Sequence, residues 1–438
     1  MGVCMSNTGG LLETKKSGPH VLNPRGDHPG IVRTNVGIPC VGLLTQETIH
    51  YVFNPDFVDK EQCCFGYSEV PADVRRGHCP SIFANGQEHR RKKAFLIDVL
   101  KECRVRVPLL LFKTILEHFE EWSRLKTVPD FEDRVYFMIS EAMTEAVFGR
   151  KLEGRLALTW LDGVIQVKTW IPLPAYAKKH SLAVEALPKL LQAIEESPEY
   201  EELTRLCRLH DLEAEDGIMT LMYAILFNSC GAVSSTIITS IARLQTILEV
   251  ERRDIQTSTL EALEKYENFT EESLGEMKFL ESFLLEVLRL HPPVFDFWGV
   301  AKKNFTVSAG KKTEEVRKGE QLLGSCFWAQ RDVSVFLRPG LFRCRRFLDD
   351  EEKKKHLLFS HGSFSEAATL DNHQCPGMDI AFILMKATLA VLLCHCSWEL
   401  NCIPVWSDKT ARFGKPDDLV SLTSFDFDSV EARRALGF

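Results

Sequence analysis

The sequence predicts a mainly α-helical chain with small β-sheets, and three observations carry that expectation. Amphipathic helical periodicity dominates residues 105–215. Two long apolar stretches, at 215–250 and 380–396, also read as helices, whereas strand-like patterns are confined to short pieces around 31–43, 298–331 and beyond 400. No linker rich in Gly, Ser, Pro or charge divides the 438 residues, and no repeat is present. Residues 29–438 therefore read as one domain behind a flexible lead-in, residues 1–28, which lacks periodicity.

Composition narrows the classes of function. The chain is 45% apolar and 26% charged, as an ordinary globular protein is, and its net charge is −8. With no basic stripe, DNA and RNA are excluded as expected partners. Fourteen cysteines lie at irregular spacing, many in apolar segments, and neither Cys63-Cys64 nor the others show zinc spacing. Together with the lack of a signal peptide this predicts free thiols and a cytoplasmic location. No stretch of about 20 apolar residues is expected to span a membrane. The start, Met1-Gly2-Val3-Cys4-Met5-Ser6, fits N-myristoylation at Gly2, with Cys4 as a second acylation site. Two lipids would give peripheral membrane contact; an unmodified N-terminus fits the same residues.

Taken in order, IVRTNVGIP and GLLTQETIHYVF read as a strand followed by a short helix. CPSIF, ending at Phe83, leads into ANGQEHRRKKAFLIDVL, a basic helix with an apolar back. His89 and Lys93, four apart, share one face of it, which also fits a solvated basic face. Pro172 and Pro174 break KTWIPLPAYAKK, residues 168–179, into a loop between helices. The apolar helix at 215–250 carries Asn228, Ser229 and Gly231 at its centre. A buried Asn there must be bonded locally or face a ligand.

Ser273-Leu274-Gly275-Glu276 reads as a capping box that starts a helix ended by Pro292-Pro293. Within that helix Glu286 and Arg289 lie three apart among apolar neighbours. WGVAKKNFTV and EEVRKGEQLLGSCFWAQRD read as strands, and the chain beyond 400 as terminal strands. Between them lies FSHGSFSEAATLDNHQCPGMD, followed by the buried helix IAFILMKATLAVLLCHC. A cysteine one turn ahead of such a helix sits where the helix N-terminus favours the thiolate. Pro376 suits a helix start, and Gly377 lets a flat ligand approach the sulfur of Cys375.

These residues resemble the cytochrome P-450 superfamily. Its haem loop reads F-x-x-G-x-R-x-C-x-G, and Phe359, Gly362, Cys375 and Gly377 match its letters, with nine extra residues between Gly362 and Cys375. Such an insertion is similar to the plant allene oxide synthases and hydroperoxide lyases, whose core N-K-Q-C-x-G-K-D corresponds to Asn372-His373-Gln374-Cys375-Pro376-Gly377-Met378-Asp379. Val32-Arg33-Thr34-Asn35-Val36 and Val58-Asp59-Lys60 also resemble that branch. Phe227-Asn228-Ser229-Cys230-Gly231-Ala232 resembles its F-N-x-x-G-G, with Ala232 for the second Gly. Glu286, Arg289, Pro292 and Pro293 resemble the superfamily's E-x-x-R-x-x-P-P, and Arg346 before Phe347 holds the register of P-E-R-F. Val300 replaces an Arg of the branch's Y-G-R-A-K-K-D, a departure that weakens haem anchoring on that side.

The resemblance implies a haem b cofactor whose iron takes Cys375 as axial thiolate, held also by His89, Lys93, Asn372, His373 and Gly377. It implies that Glu286, Arg289 and Arg346 pair behind the haem. The superfamily's A-G-x-[DE]-T proton relay is missing its acid, since Ala232, Val233, Ser234, Ser235 and Thr236 follow Gly231. A substrate already containing an O–O bond needs neither that relay nor a reductase. The implied reaction is rearrangement of polyunsaturated fatty-acid hydroperoxides without dioxygen or NADPH. Asn228 would hold the hydroperoxide oxygen, and Phe83 and Phe227 would flank the substrate. An epoxyalcohol synthase ranks first, an allene oxide synthase second and a hydroperoxide lyase third. A reductase-dependent monooxygenase, kept open by Ser234, Ser235 and Thr236, and a non-catalytic haem carrier rank below them. The cysteine content and the departures from the plant pattern point to an animal member.

Overall fold

A computed structural model describes residues 30–35, 38–63, 70–164, 174–266, 270–406 and 414–436. The lead-in with Gly2 and Cys4, the residue Val36 and the first half of the 168–179 loop lie outside the described residues.

The strands are few. A five-stranded sheet has the order β1 (Ile31–Asn35), β2 (Pro39–Leu43), β7 (Gln321–Ser325), β4 (Asp296–Ala301), β3 (Val58–Asp59), with only β2 and β7 parallel. Helix α1 (Gln46–Phe53) packs on it through Ile49 and Val52. The hairpin β5 (Phe305–Ala309) and β6 (Lys312–Val316) and the pair β8 (Cys396–Leu400) and β9 (Leu422–Phe427) complete the strands. The chain end differs from the expected strands: α16 (Ser429–Leu436) follows β9. Its single buried residue on a charged segment, Ala432, is too weak a signal to read as a helix face.

The helical body supplies the main core. Helices α2 (Gly86–Cys103), α3 (Val107–Leu125), α4 (Phe131–Phe148), α5 (Gly154–Val164), α6 (Pro174–Glu195) and α7 (Tyr200–Leu209) cover the expected amphipathic region. Pro174 belongs to α6 rather than to the loop, because Pro at the first position of a helix loses no hydrogen bond. The central helix is three pieces in continuous register: α8 (Ala214–Met222), a wide π segment (Tyr223–Cys230) and α9 (Gly231–Leu244). It ends earlier than the expected 250, and α10 (Glu249–Tyr266) follows.

The capping box is displaced from the expected one. Thr270 caps α11 (Glu271–Glu276), and its N–H is held in turn by the Ser273 hydroxyl at 2.9 Å. Met277 then breaks the chain before α12 (Lys278–Leu290). Short helices α13 (Cys326–Ala329) and α14 (Arg346–Asp349) precede α15 (Met378–His395), apolar on every side and packed among α3, α9 and α10. Lys386, the interruption in α15, is buried with its Nζ 2.8 Å from the Glu281 carboxylate and 2.7 Å from the Leu274 carbonyl.

Two helices, Ala214–Leu244 and Met378–His395, are long and apolar enough to cross a membrane by length and composition, contrary to the sequence expectation. Their apolar windows are 67% and 83% buried inside the molecule, so packing against other helices accounts for the apolar character.

Candidate active site

A cavity of about 220 Å³ lies between the central helix and the loop that carries Cys375. Cys375, Pro376 and Gly377 form one wall; Asn228, Ala232 and Thr236 form part of the opposite wall. Gly377 is the N-cap of α15, and its N–H stands beside the Cys375 sulfur. Burial pushes the Cys375 thiol up, while that N–H and the nearby Lys93 ammonium pull it down. A Cβ added to Gly377 would meet only Leu100 Cδ1 at 3.4 Å, so this side of the sulfur is open.

The central helix presents Asn228 through its wide segment. Asn228 is half-buried, lines the cavity and makes no hydrogen bond among the described residues. Two hydroxyls farther along are committed to their own helix: Thr236 donates to the Ala232 carbonyl at 2.9 Å, and Thr239 to the Ser235 carbonyl at 2.8 Å. Phe83, 5% exposed, lines the cavity from the loop before α2. Phe227 does not line it; its ring lies 6.0 Å from that of Tyr223 and packs on the core.

One end of the cavity is cationic. His89 and Lys93 both reach the inserted loop. The ring nitrogens of His89 lie 2.8 Å from the Ser81 carbonyl and 2.9 Å from the Asn372 carbonyl. A neutral imidazole donates only once, so satisfying both carbonyls requires the imidazolium, which burial opposes. Lys93 Nζ donates to the Asn372 carbonyl and, at 2.9 Å, to its Oδ1. His373 lies against His89, ring centroids 4.0 Å apart and tilted by 31°; its Nε2 donates to the Ala84 carbonyl at 3.1 Å, and its buried Nδ1 has no partner among the described residues.

Lys60 joins this group, and sequence reasoning gave it no role. It follows β3, which pairs with Val300 and Ala301 of β4, so it stands beside the position where the branch's Arg is missing. Its Nζ donates to the Val52 and Trp298 carbonyls at 2.6 and 2.9 Å. Burial lowers Lys60 and Lys93 each to about 8. Its place in the Val58-Asp59-Lys60 match was the available signal.

Haem suits this donor set. Lys60, His89, Lys93, His361 and His373 line the cavity, and none is ion-paired with a carboxylate within 4 Å among the described residues. The buried ammonium groups of Lys60 and Lys93 are costly without a counter-ion, which the two carboxylates of a haem would supply, while burial holds His89, His361 and His373 toward the neutral form. The cysteine and the open face at Gly377 suit the iron and the flat ring. Behind the Cys375 loop, Glu286 accepts from Arg289 Nε at 2.7 Å and from Arg346 Nε at 2.9 Å, all three at most 3% exposed. Arg289 and Arg346 go on to the carbonyls of Gln330, Pro339 and Leu337 at 2.8–3.0 Å. The pair is thus a buried three-residue network rather than a surface ion pair.

Fold, buried network and cysteine loop together define a haem-thiolate protein of the cytochrome P-450 superfamily, to which the chain belongs. The family model described as cytochrome P-450 matches residues 206–421. Within the superfamily its relatives lie in the branch that holds fatty acid hydroperoxide lyases, allene oxide synthases and divinyl ether synthases. A chloroplastic fatty acid hydroperoxide lyase of Solanum lycopersicum is 26% identical over 403 residues, 82% of this chain and 83% of the relative. A chloroplastic allene oxide synthase of the same plant is 31% identical over 41% of this chain and 36% of its own length. A divinyl ether synthase, also from Solanum lycopersicum, is 33% identical over 32% of this chain and 30% of its own. Among solved structures, ligand-free cytochrome P-450 OleT superposes with a TM-score of 0.70 at 16% identity, over 97% of this chain and 99% of that one. That likeness concerns the fold.

Proposed function

We propose that the chain is a haem-dependent enzyme that rearranges polyunsaturated fatty-acid hydroperoxides without dioxygen, NADPH or a reductase, with an epoxyalcohol as product. The observation that carries this reading is Asn228, which lines the cavity and whose amide has no hydrogen bond among the described residues. Cys375 would hold haem b through its thiolate, and the bound group would supply one-electron chemistry suited to O–O cleavage. Lys60 and Lys93 would hold its carboxylates by charge and hydrogen bonding, with His89 and His373 packed beside them. The Gly377 N–H stabilises the thiolate. Asn228 orients the hydroperoxide by donating to one of its oxygens, and Phe83 excludes water beside the substrate chain.

No acid stands beside Asn228, and Thr236 spends its hydroxyl on its own helix. Both features suit a substrate that brings its own O–O bond rather than one that needs dioxygen activated. Isomerisation to an epoxyalcohol moves no proton out of the substrate, which suits a cavity with no carboxylate side chain among its described lining. The relatives support an allene oxide product equally.

The test is anaerobic and without NADPH: the purified haem protein is mixed with linoleate and arachidonate hydroperoxides, and products are identified by mass spectrometry. Epoxyalcohols are expected. Ketols derived from an allene oxide would replace the product but keep the reaction class, and an unconsumed hydroperoxide would sink both.

A further inference from the structure

The wide segment that presents Asn228 is tied to a tyrosine on another helix. In an α-helix each carbonyl accepts from the N–H four residues on; in a π segment that partner moves to five, and the changeover leaves a carbonyl without its usual N–H. The Leu226 carbonyl, inside the segment and two residues before Asn228, receives the phenol of Tyr136 at 3.1 Å. Tyr136 belongs to α4, is 4% exposed and does not line the cavity. Leu226 is fully buried, so water offers its carbonyl no alternative.

The widening has a measurable effect on which residues face the cavity. The lining stripe runs from Thr220 through Ala224, Asn228 and Ala232 to Thr236, sixteen residues in four turns. An α-helix would use about 14. In α register, counting from Thr220, the stripe would pass near Phe227, Gly231 and Ser234 instead. None of the three lines the cavity: Phe227 packs on the core, and the Ser234 hydroxyl is buried without a partner among the described residues.

We infer that Tyr136 is a positioning residue: its hydroxyl holds the Leu226 carbonyl out of α register and thereby fixes Asn228 toward the cavity. The inference rests on the proposed role of Asn228. It assigns Tyr136 no contact with substrate or cofactor.

The test uses the haem-loaded Tyr136→Phe protein, which keeps the ring and its packing and removes one hydroxyl. Two readouts are compared with wild type, with Asn228→Ala and with the double variant: the C–O stretching frequency of carbon monoxide on the ferrous haem, and hydroperoxide turnover. Haem content and melting temperature serve as controls on folding. The C–O stretch of Tyr136→Phe is expected to shift in the same direction as that of Asn228→Ala. Its turnover is expected to fall about tenfold, the cost of one misplaced hydrogen bond. The double variant is expected to be no slower than Asn228→Ala alone.

A wild-type C–O stretch in Tyr136→Phe, or losses that add in the double variant, would overturn the inference. Should Tyr136→Phe fail to fold, Tyr136→Met, which is smaller, flexible and without a hydroxyl, takes its place, and the same C–O comparison decides. If wild type consumes no hydroperoxide, the proposed function fails, and the C–O stretch alone decides the role of Tyr136.

Discussion

His89 and Lys93, four residues apart on α2, converge on one atom, the carbonyl oxygen of Asn372 in the inserted loop. The insertion before Cys375 is therefore anchored to the helix that lines the cavity, and the Asn372 side chain adds a second anchor through Lys93 and the Glu366 carboxylate. Cations and cysteine loop form one assembly.

Replacing a cation of this assembly should loosen the cofactor before it harms the fold. Lys60→Met and Lys93→Met each remove a charge-assisted donor, worth roughly 1.5–3 kcal/mol. Haem transfer to apomyoglobin should accelerate by about ten- to a hundredfold in each variant. Unchanged transfer from Lys60→Met would show that Lys60 only braces the Val52 and Trp298 carbonyls.

Cys375→Ala removes the sulfur and should abolish the thiolate spectrum of the ferrous carbon monoxide complex. An unchanged spectrum would remove Cys375 from the iron.

Asn228→Ala should leave haem content unchanged and slow hydroperoxide turnover by about 10²-fold, in the range set by removal of an oriented donor. Stopped-flow rates under anaerobic conditions check this.

Arg346→Ala leaves Glu286 buried with half of its ionic partners. Loss of one member of a buried network costs roughly 3–5 kcal/mol, which urea unfolding would detect. Loss of a surface pair such as Arg253 with Glu249 should leave the unfolding midpoint nearly unchanged.

Acid should weaken the fold through His291. Burial, then Arg243, Arg331 and Arg289, hold its imidazole well below the usual range, and its Nε2 accepts from Arg243 Nε at 2.9 Å. The unfolded chain takes up this proton near pH 6.5 and the folded chain does not. Stability contributed by neutral His291 is thus present above about pH 6.5 and is lost as pH falls toward the folded value. Melting temperatures between pH 7.5 and 5 should fall, and His291→Asn should flatten that slope.

Much of the site was legible because its signals are local. Glu286 and Arg289 sit three apart, His89 and Lys93 four apart, and Cys375 directly precedes an apolar helix, so short spacing alone brought them together. Arg346 joins them from sixty residues away and was found by its resemblance, not by spacing. Other features escaped for physical reasons. Periodicity assumes a constant 3.6 residues per turn, so a π segment is invisible to it; Phe227 was placed beside the substrate by its resemblance to F-N-x-x-G-G, which carries no sign of which way the side chain turns. Thr270 and Ser273 are both competent caps, and only the break at Met277 decides between them. Lys60 carries no local sign that its ammonium is buried.

The wide segment also bears on how such a site can change. Were the segment to narrow to α register with no residue removed, every side chain beyond it would turn by about 100°, and Gly231 and Ser235 would stand where Ala232 and Thr236 now stand. A residue lost from the segment itself would be absorbed by the same narrowing and would leave Ala232 and Thr236 in place. The segment thus buffers the distal wall against the loss of one codon within it.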